Sequence, residues 1–167
     1  MCMQEIFHRV SIRKYRDIPV EKEKIMQILR AGMQAPSACN QQPWAFYVVT
    51  NKEKIQQLSA ATPYGGCCAN APAVIVPVYV EDNLPAPMFA QIDLSIAMEN
   101  MWLETDSLGL GGVWIGVAPL KDRQQAVKEM LELPENEHVF CLFALGYPDE
   151  TKVQQDRFHE ERIHFVE

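Results

Sequence analysis

Apolar residues follow two different periods along this chain, and the two periods predict different elements. A spacing of three to four residues is typical of a helix face, whereas runs of β-branched and aromatic residues are typical of strands. The first pattern predicts helices over 4–10, 20–33, 51–58 with Asn51 as its N-cap, 87–108 and 121–131. The second predicts strands over 44–49, 73–80, 113–117, 139–145 and 162–166. Helices and strands mixed in this order predict an α+β layer fold.

Two of these segments have patterns that say where they lie in the fold. The helix at 87–108 is apolar over most of its circumference, which is typical of a helix in the centre of a protein. The strand at 73–80 contains Pro77, which cannot donate a ladder hydrogen bond, so we expect an edge or irregular position there. Pro19 precedes the helix at 20–33 and serves as its start signal.

The overall composition limits the possible classes of function. The chain has 167 residues, enough for one domain with a buried core, and 48% of them are hydrophobic. Its net charge of −7 argues against nucleic acid as the main partner, because nucleic acids favour a broad basic surface. Acidic and amide side chains within 87–108 oppose membrane insertion, and the first residues lack a signal-peptide pattern. We therefore expect a cytoplasmic, single-domain protein that binds neither nucleic acid nor membrane.

The cysteines and histidines give no sign of a metal site. The five cysteines are Cys2, Cys39, Cys67, Cys68 and Cys141. They include no CxxC pair, and no histidine lies at zinc-ligand spacing, so we expect reduced thiols and no metal. The adjacent Cys67 and Cys68 could form a strained disulfide or react as a thiol couple, but inert, buried thiols are the favoured interpretation.

The segment 36–44 combines two prolines with three amide side chains and one hydroxyl. Proline fixes its own φ and restricts the residue before it, so Ser37, Asn40 and Gln42 would be held as oriented donors and acceptors. Such a loop suits the polar edge of a planar ligand. A simple turn between the helix and the strand is the alternative interpretation.

A group of basic residues lies near the N-terminus of this otherwise acidic chain. Its members are Arg9, Arg13, Lys14 and Arg16. Together with Ser11, the guanidinium groups suit the oxygens of a phosphate monoester. The alternative is a solvated helix end, where the backbone dipole favours cations without any ligand.

Four of the eight glycines lie within 109–116, which indicates close approach of the backbone either to a ligand or between a helix and a strand. The dinucleotide-binding fingerprint is not matched, because this run follows a helix and leads into a strand. The sequence also contains no phosphate-loop motif, nucleophile elbow or obvious Cys–His pair. An enzyme without its own catalytic groups needs an organic cofactor, and we expect a flavin.

Four motifs taken together resemble the FMN-dependent nitroreductase family. They are RVSIRKY at 9–15, PSACNQQPW at 36–44, GGVWIG at 111–116 and GYP at 146–148. The resemblance spans nearly the whole chain, which is similar to a short, single-domain member. It implies an α+β fold with a central mixed or antiparallel sheet flanked by helices, and an intertwined homodimer with two FMN sites at the interface. It also implies electron transfer from NADH or NADPH to nitroaromatics, quinones or similar small acceptors.

The resemblance also implies roles for single residues. Arg9 and Arg157 would bind the FMN phosphate. Ser11 would contact the phosphate or the ribityl chain, and Val10, between Arg9 and Ser11, would also contact the cofactor. Arg13 would lie beside the flavin N1 and O2 atoms. The other protomer would contribute Pro36, Ser37, Ala38, Asn40 and Gln42. Backbone near the reactive N5 atom would come from Trp114, Ile115 and Gly116. No protein side chain is expected to act as a catalytic acid or base.

Two departures from the family pattern concern the phosphate end. Val10 replaces a basic residue that is often found after the first arginine, and Gln155 stands where a further cation is common. These changes would weaken phosphate binding unless Lys152 substitutes.

The expected mechanism is a ping-pong cycle in which a reduced nicotinamide gives hydride to flavin N5, leaves, and is replaced by the acceptor. One alternative is a flavin-binding protein with a sensory or FMN-remodelling role, since fold and cofactor do not determine function. A thiol redox protein that uses Cys67 and Cys68 is a third possibility. The sequence leaves the physiological acceptor and the choice between NADH and NADPH open.

Overall fold

The structure is a computed structural model that describes residues 4–166. Within that range, the helices are α1 (Gln4–His8), α2 (Lys22–Met33), α3 (Lys52–Ala60), α4 (Ala90–Ser107) and α5 (Lys121–Leu131). The strands are β1 (Trp44–Val49), β2 (Ala73–Val80), β3 (Gly111–Gly116), β4 (Glu137–Val139) and β5 (Cys141–Gly146). None of the helices in this range is long and apolar enough to cross a membrane.

The strands form one sheet in the order β1-β2-β5-β3, and β4 pairs with the far end of β2. All strand pairs are antiparallel. The predicted α+β class with a central sheet flanked by helices is therefore confirmed. The order places β1 and β3 at opposite edges of the sheet, which determines where the candidate site residues lie.

Both faces of the sheet are buried, and alternate residues of β2 show this. Val74 and Val76 pack into one cluster with residues of α3 and α5, including Leu58 and Val127. Ile75 packs into a second cluster with α2 and α4. Side chains in a strand alternate between its two faces, so a strand covered on both sides is a continuous apolar run. Each large side chain buried in these clusters contributes about 1.5–3 kcal/mol.

Pro77 lies in an irregular position, as expected, but not at a sheet edge. β2 pairs with β1 on one side and with β4 and β5 on the other. The Pro77 carbonyl accepts from the Phe140 N–H at 2.9 Å, and Phe140 is the single residue between β4 and β5. The backbone N and O of a strand residue point to the same side. The position at which Pro77 lacks an N–H donor therefore faces Phe140, where the partner strand is interrupted. The same interruption divides the predicted strand 139–145 into β4 and β5.

Several predicted boundaries differ from the structure. The strand predicted over 162–166 is wrong: Ile163, Phe165 and Val166 are exposed and belong to no strand. A strand needs a partner edge, and this segment meets none within the described protomer. The first helix ends at His8 rather than residue 10. The next helix starts at Lys22, three residues after Pro19, so Pro19 is not its first residue.

The glycine run serves close packing at its start. A Cβ on Gly111 would lie 2.6 Å from the Ile12 side chain, and one on Gly112 would lie 2.5 Å from Phe143. Gly109 has φ +72°, which glycine adopts readily and which lets the chain turn from α4 into β3. At Gly116, in contrast, a Cβ would meet nothing within 4 Å. Tight packing therefore explains Gly111 and Gly112. At Gly116, the other interpretation, close approach to a ligand, stays a prediction.

The helix predicted to be central, α4, is buried on one side only in this protomer. Leu94, Met98 and Met101 are fully buried against the sheet and α2. Ile92 is 54% exposed and Ile96 37% exposed on another side of the same helix. A helix that is apolar all round is typically buried all round. The exposed side therefore indicates a surface that another protein copy could cover.

Candidate functional site

The basic segment, residues 9–14, runs beside the edge strand β3. Ser11 forms a parallel bridge with Gly112, and the Ile12 N–H donates to the Gly112 carbonyl at 3.0 Å. Ile12 is buried, whereas Arg13 is exposed. The backbone of this segment is thus fixed to the sheet while Arg13 extends toward solvent.

Tyr15 anchors the end of the basic segment. Its hydroxyl lies 2.6 Å from the Ile12 carbonyl oxygen and 3.1 Å from the Ala144 carbonyl oxygen. Burial raises the pKa of Tyr15 above its usual value, so the hydroxyl remains a neutral donor. The anchor joins the segment to the central strand β5.

Glu150 fixes the same segment from its other side. Its carboxylate accepts from the Arg13 N–H at 2.5 Å and from the Lys14 N–H at 3.3 Å. The Arg13 N–H, assisted by Lys152, holds the pKa of Glu150 below its usual value. A charged acceptor on two successive N–H groups restrains the backbone from which the Arg13 side chain extends.

The segment after Glu150 lies alongside the basic segment. The Lys152 ammonium donates to the Ser11 carbonyl at 3.0 Å, and the Gln154 amide donates to the Arg9 carbonyl at 2.8 Å. Because of this alignment, Arg9 and Arg157 line one cavity of about 540 Å³. Gln155 lines the same cavity, whereas Lys152 pairs with Glu150 at 3.1 Å, and its substitution for the missing cation stays a prediction.

Arg9 is held inside the protein rather than at a solvated helix end. Its guanidinium carbon lies 4.1 Å from the centre of the Trp102 ring, and its side chain is only 15% exposed. The Arg9 Nε is 3.6 Å from a Glu99 oxygen and has no hydrogen-bond partner among residues 4–166. Arg9 also lines the cavity shared with Arg157, and a guanidinium group there is suited to an anionic oxygen of a ligand.

The outer edge of β3 presents backbone groups for binding. Because the Gly112 carbonyl accepts from Ile12, the backbone of Gly112 faces away from β5. Backbone groups alternate along a strand, so those of Trp114 and Gly116 face the same outer edge while those of Ile115 face β5. At the end of this row, the Gly116 carbonyl accepts from the Arg123 guanidinium at 3.4 Å.

The amide loop, residues 36–42, has an unusual backbone. Cys39, Asn40 and Gln42 all have left-handed φ angles, of 51°, 53° and 44°. Such angles are uncommon outside glycine and persist only where contacts impose them. One such contact is made by Ser37, whose hydroxyl oxygen accepts from the Gln42 N–H at 3.0 Å. The prolines alone do not account for this conformation.

Asp93 and Gln41 supply the other contacts, and neither was predicted as a site residue. Asp93 is only 3% exposed and accepts from the Ala38 N–H at 2.9 Å and from the Gln41 amide at 2.6 Å. Gln41 also exchanges two hydrogen bonds of 3.0 Å with the backbone of Ala86. The Ala38 N–H is therefore not free to bind a ligand. In the sequence, the position of Asp93 between two apolar residues, Ile92 and Leu94, is the signal that could have indicated this buried role.

The structure brings the predicted site residues together as two groups rather than one. Arg9, Val10, Ser11, Arg13, Arg157 and residues 114–116 lie at the β3 edge, whereas Pro36 and the rest of the amide loop lead into β1. Three strand spacings of about 4.8 Å, or about 14 Å, separate these edges. The two groups of predicted site residues therefore lead to opposite edges of the sheet within one protomer.

Cys67 and Cys68 lie near the basic segment. The neighbouring Cys68 thiol, with the charge of Arg13, lowers the pKa of Cys67 to about 6, and the Cys67 Sγ lies 3.8 Å from the Tyr64 carbonyl oxygen. The neighbouring Cys67 thiol, together with burial, raises the pKa of Cys68. Cys68 is buried, as expected, and Cys67 is half-buried, so its reactivity stays a prediction. Cys2 lies outside the described residues.

Taken together, the site can bind an anion and stabilise negative charge, but it offers no acid–base pair. Arg9 and Arg157 suit a phosphate, whereas Arg13 lines a separate cavity of about 810 Å³ together with Lys14 and Tyr15. Among the described residues, no three His, Cys, Asp or Glu side chains form a possible metal site. The donor set therefore fits a phosphorylated planar cofactor such as FMN, with the redox chemistry supplied by the cofactor.

Comparison with known proteins agrees with this fit. The chain matches the family model described as the nitroreductase family over residues 6–63 and 60–147. A protein of Archaeoglobus fulgidus with the provisional name NADH dehydrogenase/NAD(P)H nitroreductase is 43% identical over 169 residues. That alignment covers 98% of this chain and 96% of the archaeal protein.

Solved structures show the same fold over the whole chain. An FMN-dependent nitroreductase from Clostridium difficile is 32% identical, with a TM-score of 0.91 and 99% of each chain covered. An NADPH:FMN oxidoreductase from Vibrio harveyi, solved in complex with NAD+, is 27% identical with a TM-score of 0.82, covering 99% of this chain and 79% of that one. The resemblance and the nitroreductase-like fold are thus confirmed, and the chain belongs to the nitroreductase family.

Proposed function

We propose that this chain is one protomer of an FMN-dependent oxidoreductase that takes electrons from NADH or NADPH and reduces small aromatic or quinone-like acceptors. The observation that carries the proposal is the cavity that Arg9 and Arg157 line together, beside the basic segment. The names of relatives support the same cofactor and donor: an FMN-dependent nitroreductase and an NADPH:FMN oxidoreductase complexed with NAD+.

At the phosphate end, Arg9 and Arg157 would bind anionic oxygens. Stacking on Trp102 fixes the Arg9 guanidinium plane, so little side-chain entropy remains to be lost on binding. The Ser11 hydroxyl belongs to the same segment, and Lys152 lies beside it. These groups would bind and orient the cofactor without taking part in the redox step.

At the ring end, Arg13 would supply positive charge. FMN, when bound, supplies hydride acceptance and electron donation at N5. A fixed cation beside the ring favours the negative charge of the reduced cofactor. Glu150 restrains the backbone of Arg13, and the outward backbone groups of Trp114 and Gly116 would hold the ring along β3.

A homodimer would complete the site, with the amide loop of the second protomer contacting the ring. The apolar face of α4 at Ile92 and Ile96 is exposed in one protomer, and so are Phe158 and Phe165 of the C-terminal segment, at 71% and 88%. Several large apolar side chains exposed on two elements favour a protein interface. It supports an intertwined dimer of single-domain protomers.

The chain has no separate dinucleotide-binding motif, so the donor and the acceptor would use the same open face in turn. This is the physical basis for the ping-pong order. Each would leave before the other enters, and donor preference would depend on the rim of that face.

The proposal is tested on the purified protein as isolated. We expect a yellow dimer by gel filtration and visible absorption, whose flavin absorbance is bleached anaerobically by NADH or NADPH and restored by a quinone. A colourless protein that stays colourless in excess FMN would contradict the cofactor. Bound FMN that neither nicotinamide bleaches would contradict the reductase and favour a sensory or FMN-remodelling role.

A further inference from the structure

The amide loop is connected to α4 by one buried carboxylate. Asp93 lies in the first turn of α4 and uses both of its oxygens, one for the Ala38 N–H and one for the Gln41 amide. Gln41 then bridges to both backbone groups of Ala86, just before α4 begins. The loop is therefore attached to the helix at 38 and 41, on either side of its first left-handed residues.

This attachment separates the three amide side chains of the loop into two classes. Gln41 is half-buried and all of its donors and its acceptor face protein atoms. Asn40 and Gln42 flank it, are exposed, and make no side-chain hydrogen bond with any residue in 4–166. With Gln41 held inward, its two neighbours are directed outward and keep their full capacity for a ligand.

A buried charge is unfavourable unless its partners repay the loss of hydration. Asp93 has two hydrogen-bond donors and a position near the positive end of the α4 dipole. Within the described residues it has no cationic partner. Its contacts therefore serve the loop conformation, which contains left-handed φ angles at Cys39, Asn40 and Gln42 that the chain would not adopt unaided.

We propose that Asp93 is a positioning residue, which holds the amide loop in the conformation that presents Asn40 and Gln42 to the cofactor of the neighbouring protomer. It does not touch the cofactor or the reacting atoms. The inference rests on the proposed function, since it concerns the same FMN site. Its effect passes through Ala38 and Gln41 to the outward-facing amides.

The test uses Asp93→Asn in the full-length dimer, with FMN affinity measured by fluorescence titration of the cofactor-stripped protein. The side-chain oxygen of the asparagine can still accept from the Ala38 N–H. Its NH₂ group, however, would face the NH₂ group of Gln41, so the contact that holds the loop at Gln41 is lost. We expect FMN binding to weaken about 10- to 100-fold, the range for a buried donor left without its partner. Asp122→Asn is the matched control, since Asp122 is exposed in the first turn of α5, and its affinity should stay within about twofold.

A double-mutant cycle separates positioning from general destabilisation. Asn40→Ala alone should weaken FMN binding by about tenfold, as expected for one lost hydrogen bond. If Asp93 acts by presenting Asn40, then adding Asn40→Ala to Asp93→Asn should cause less than threefold further loss. Fully additive losses would overturn the proposal, because they would show that Asp93 does not act through the loop.

A second variant covers the case in which Asp93→Asn does not fold. Gln41→Glu places a carboxylate against Asp93 without opening a cavity in the core, and it should weaken FMN binding by a similar factor in a folded dimer. Unchanged affinity in the folded Asp93→Asn or Gln41→Glu protein would overturn the inference. Failure of the wild-type protein to bind FMN would instead contradict the proposed function, so the two failures are distinguishable.

Discussion

The basic segment and the amide loop are built in opposite ways. The basic segment is tied down through its backbone, by Gly112, Glu150 and Gln154, and its arginine side chains extend from that fixed line. The amide loop is tied down largely through a side chain, Gln41, bound to Asp93. In the amide loop, the candidate ligand groups of Asn40 and Gln42 make no side-chain hydrogen bond among the described residues, whereas Arg9 of the basic segment already meets Trp102 and Glu99. The contacts of Gln41 explain why it does not belong with Asn40 and Gln42.

The largest expected effect comes from moving the basic segment away from β3. Gly111→Ala would place a Cβ 2.6 Å from Ile12, so the segment must shift or the sheet must distort. We expect a loss of about 1–3 kcal/mol in the free energy of unfolding, measured in urea, and loss of FMN binding. Gly116→Ala is the control for stability, because a Cβ there meets nothing within 4 Å, and it should unfold at the same urea concentration as the wild type.

Removing a ligand group without moving the segment gives the next largest effect. Arg9→Ala should weaken FMN binding by about 1.5–3 kcal/mol, since a charged hydrogen-bond donor is lost. Equilibrium dialysis of dilute, desalted protein would measure it. Lys14→Ala, in the same segment but outside the Arg9–Arg157 cavity, should retain FMN as the wild type does. Equal retention in both variants would exclude Arg9 as a ligand.

Glu150→Gln tests the backbone anchor of the basic segment and carries a pH dependence. The folded protein lowers the pKa of Glu150, so its stabilisation is present above the usual glutamate range near 4.5 and is lost as the pH falls through the folded value. We expect the wild type to exceed the variant by about 1 kcal/mol at pH 7 and to converge with it as the pH falls through the lowered pKa of Glu150. Urea unfolding at several pH values would show this.

The matched control for the anchor is Glu53→Gln, in the exposed first turn of α3. It should change stability by less than about 0.5 kcal/mol at either pH. A stability difference for Glu150→Gln that persists at low pH would show that the charge is not what anchors the segment.

The smallest effect concerns Cys67, next to Arg13. Only a thiolate is alkylated by iodoacetamide, and the lowered pKa of Cys67 predicts a rate that rises through about pH 6. A model thiol such as N-acetylcysteine, with an ordinary value of about 8.5, serves as the reference. Mass spectrometry of the labelled peptide measures the rate, and Arg13→Gln should move the profile to higher pH. A profile like that of the model thiol would contradict the assignment.

Local sequence was enough to predict the elements whose pattern lies within one segment. The strands at 44–49 and 73–80 and the helix at 121–131 have the predicted bounds, because side-chain period and β-branching act over a few residues. The predicted strand 162–166 failed because pairing depends on a partner edge, which no local pattern encodes.

The amino-acid sequence by itself determined the α+β class, the position of the basic segment and amide loop, and the family resemblance, since each depends on residue types at short spacing. The tertiary structure alone decided that Asp93 holds the amide loop, that Glu150 holds Arg13, and that Arg9 shares a cavity with Arg157. Those contacts join residues 52 to 148 positions apart. Their geometry depends on how the packed helices and sheet bring distant segments together, which is a property of the whole fold.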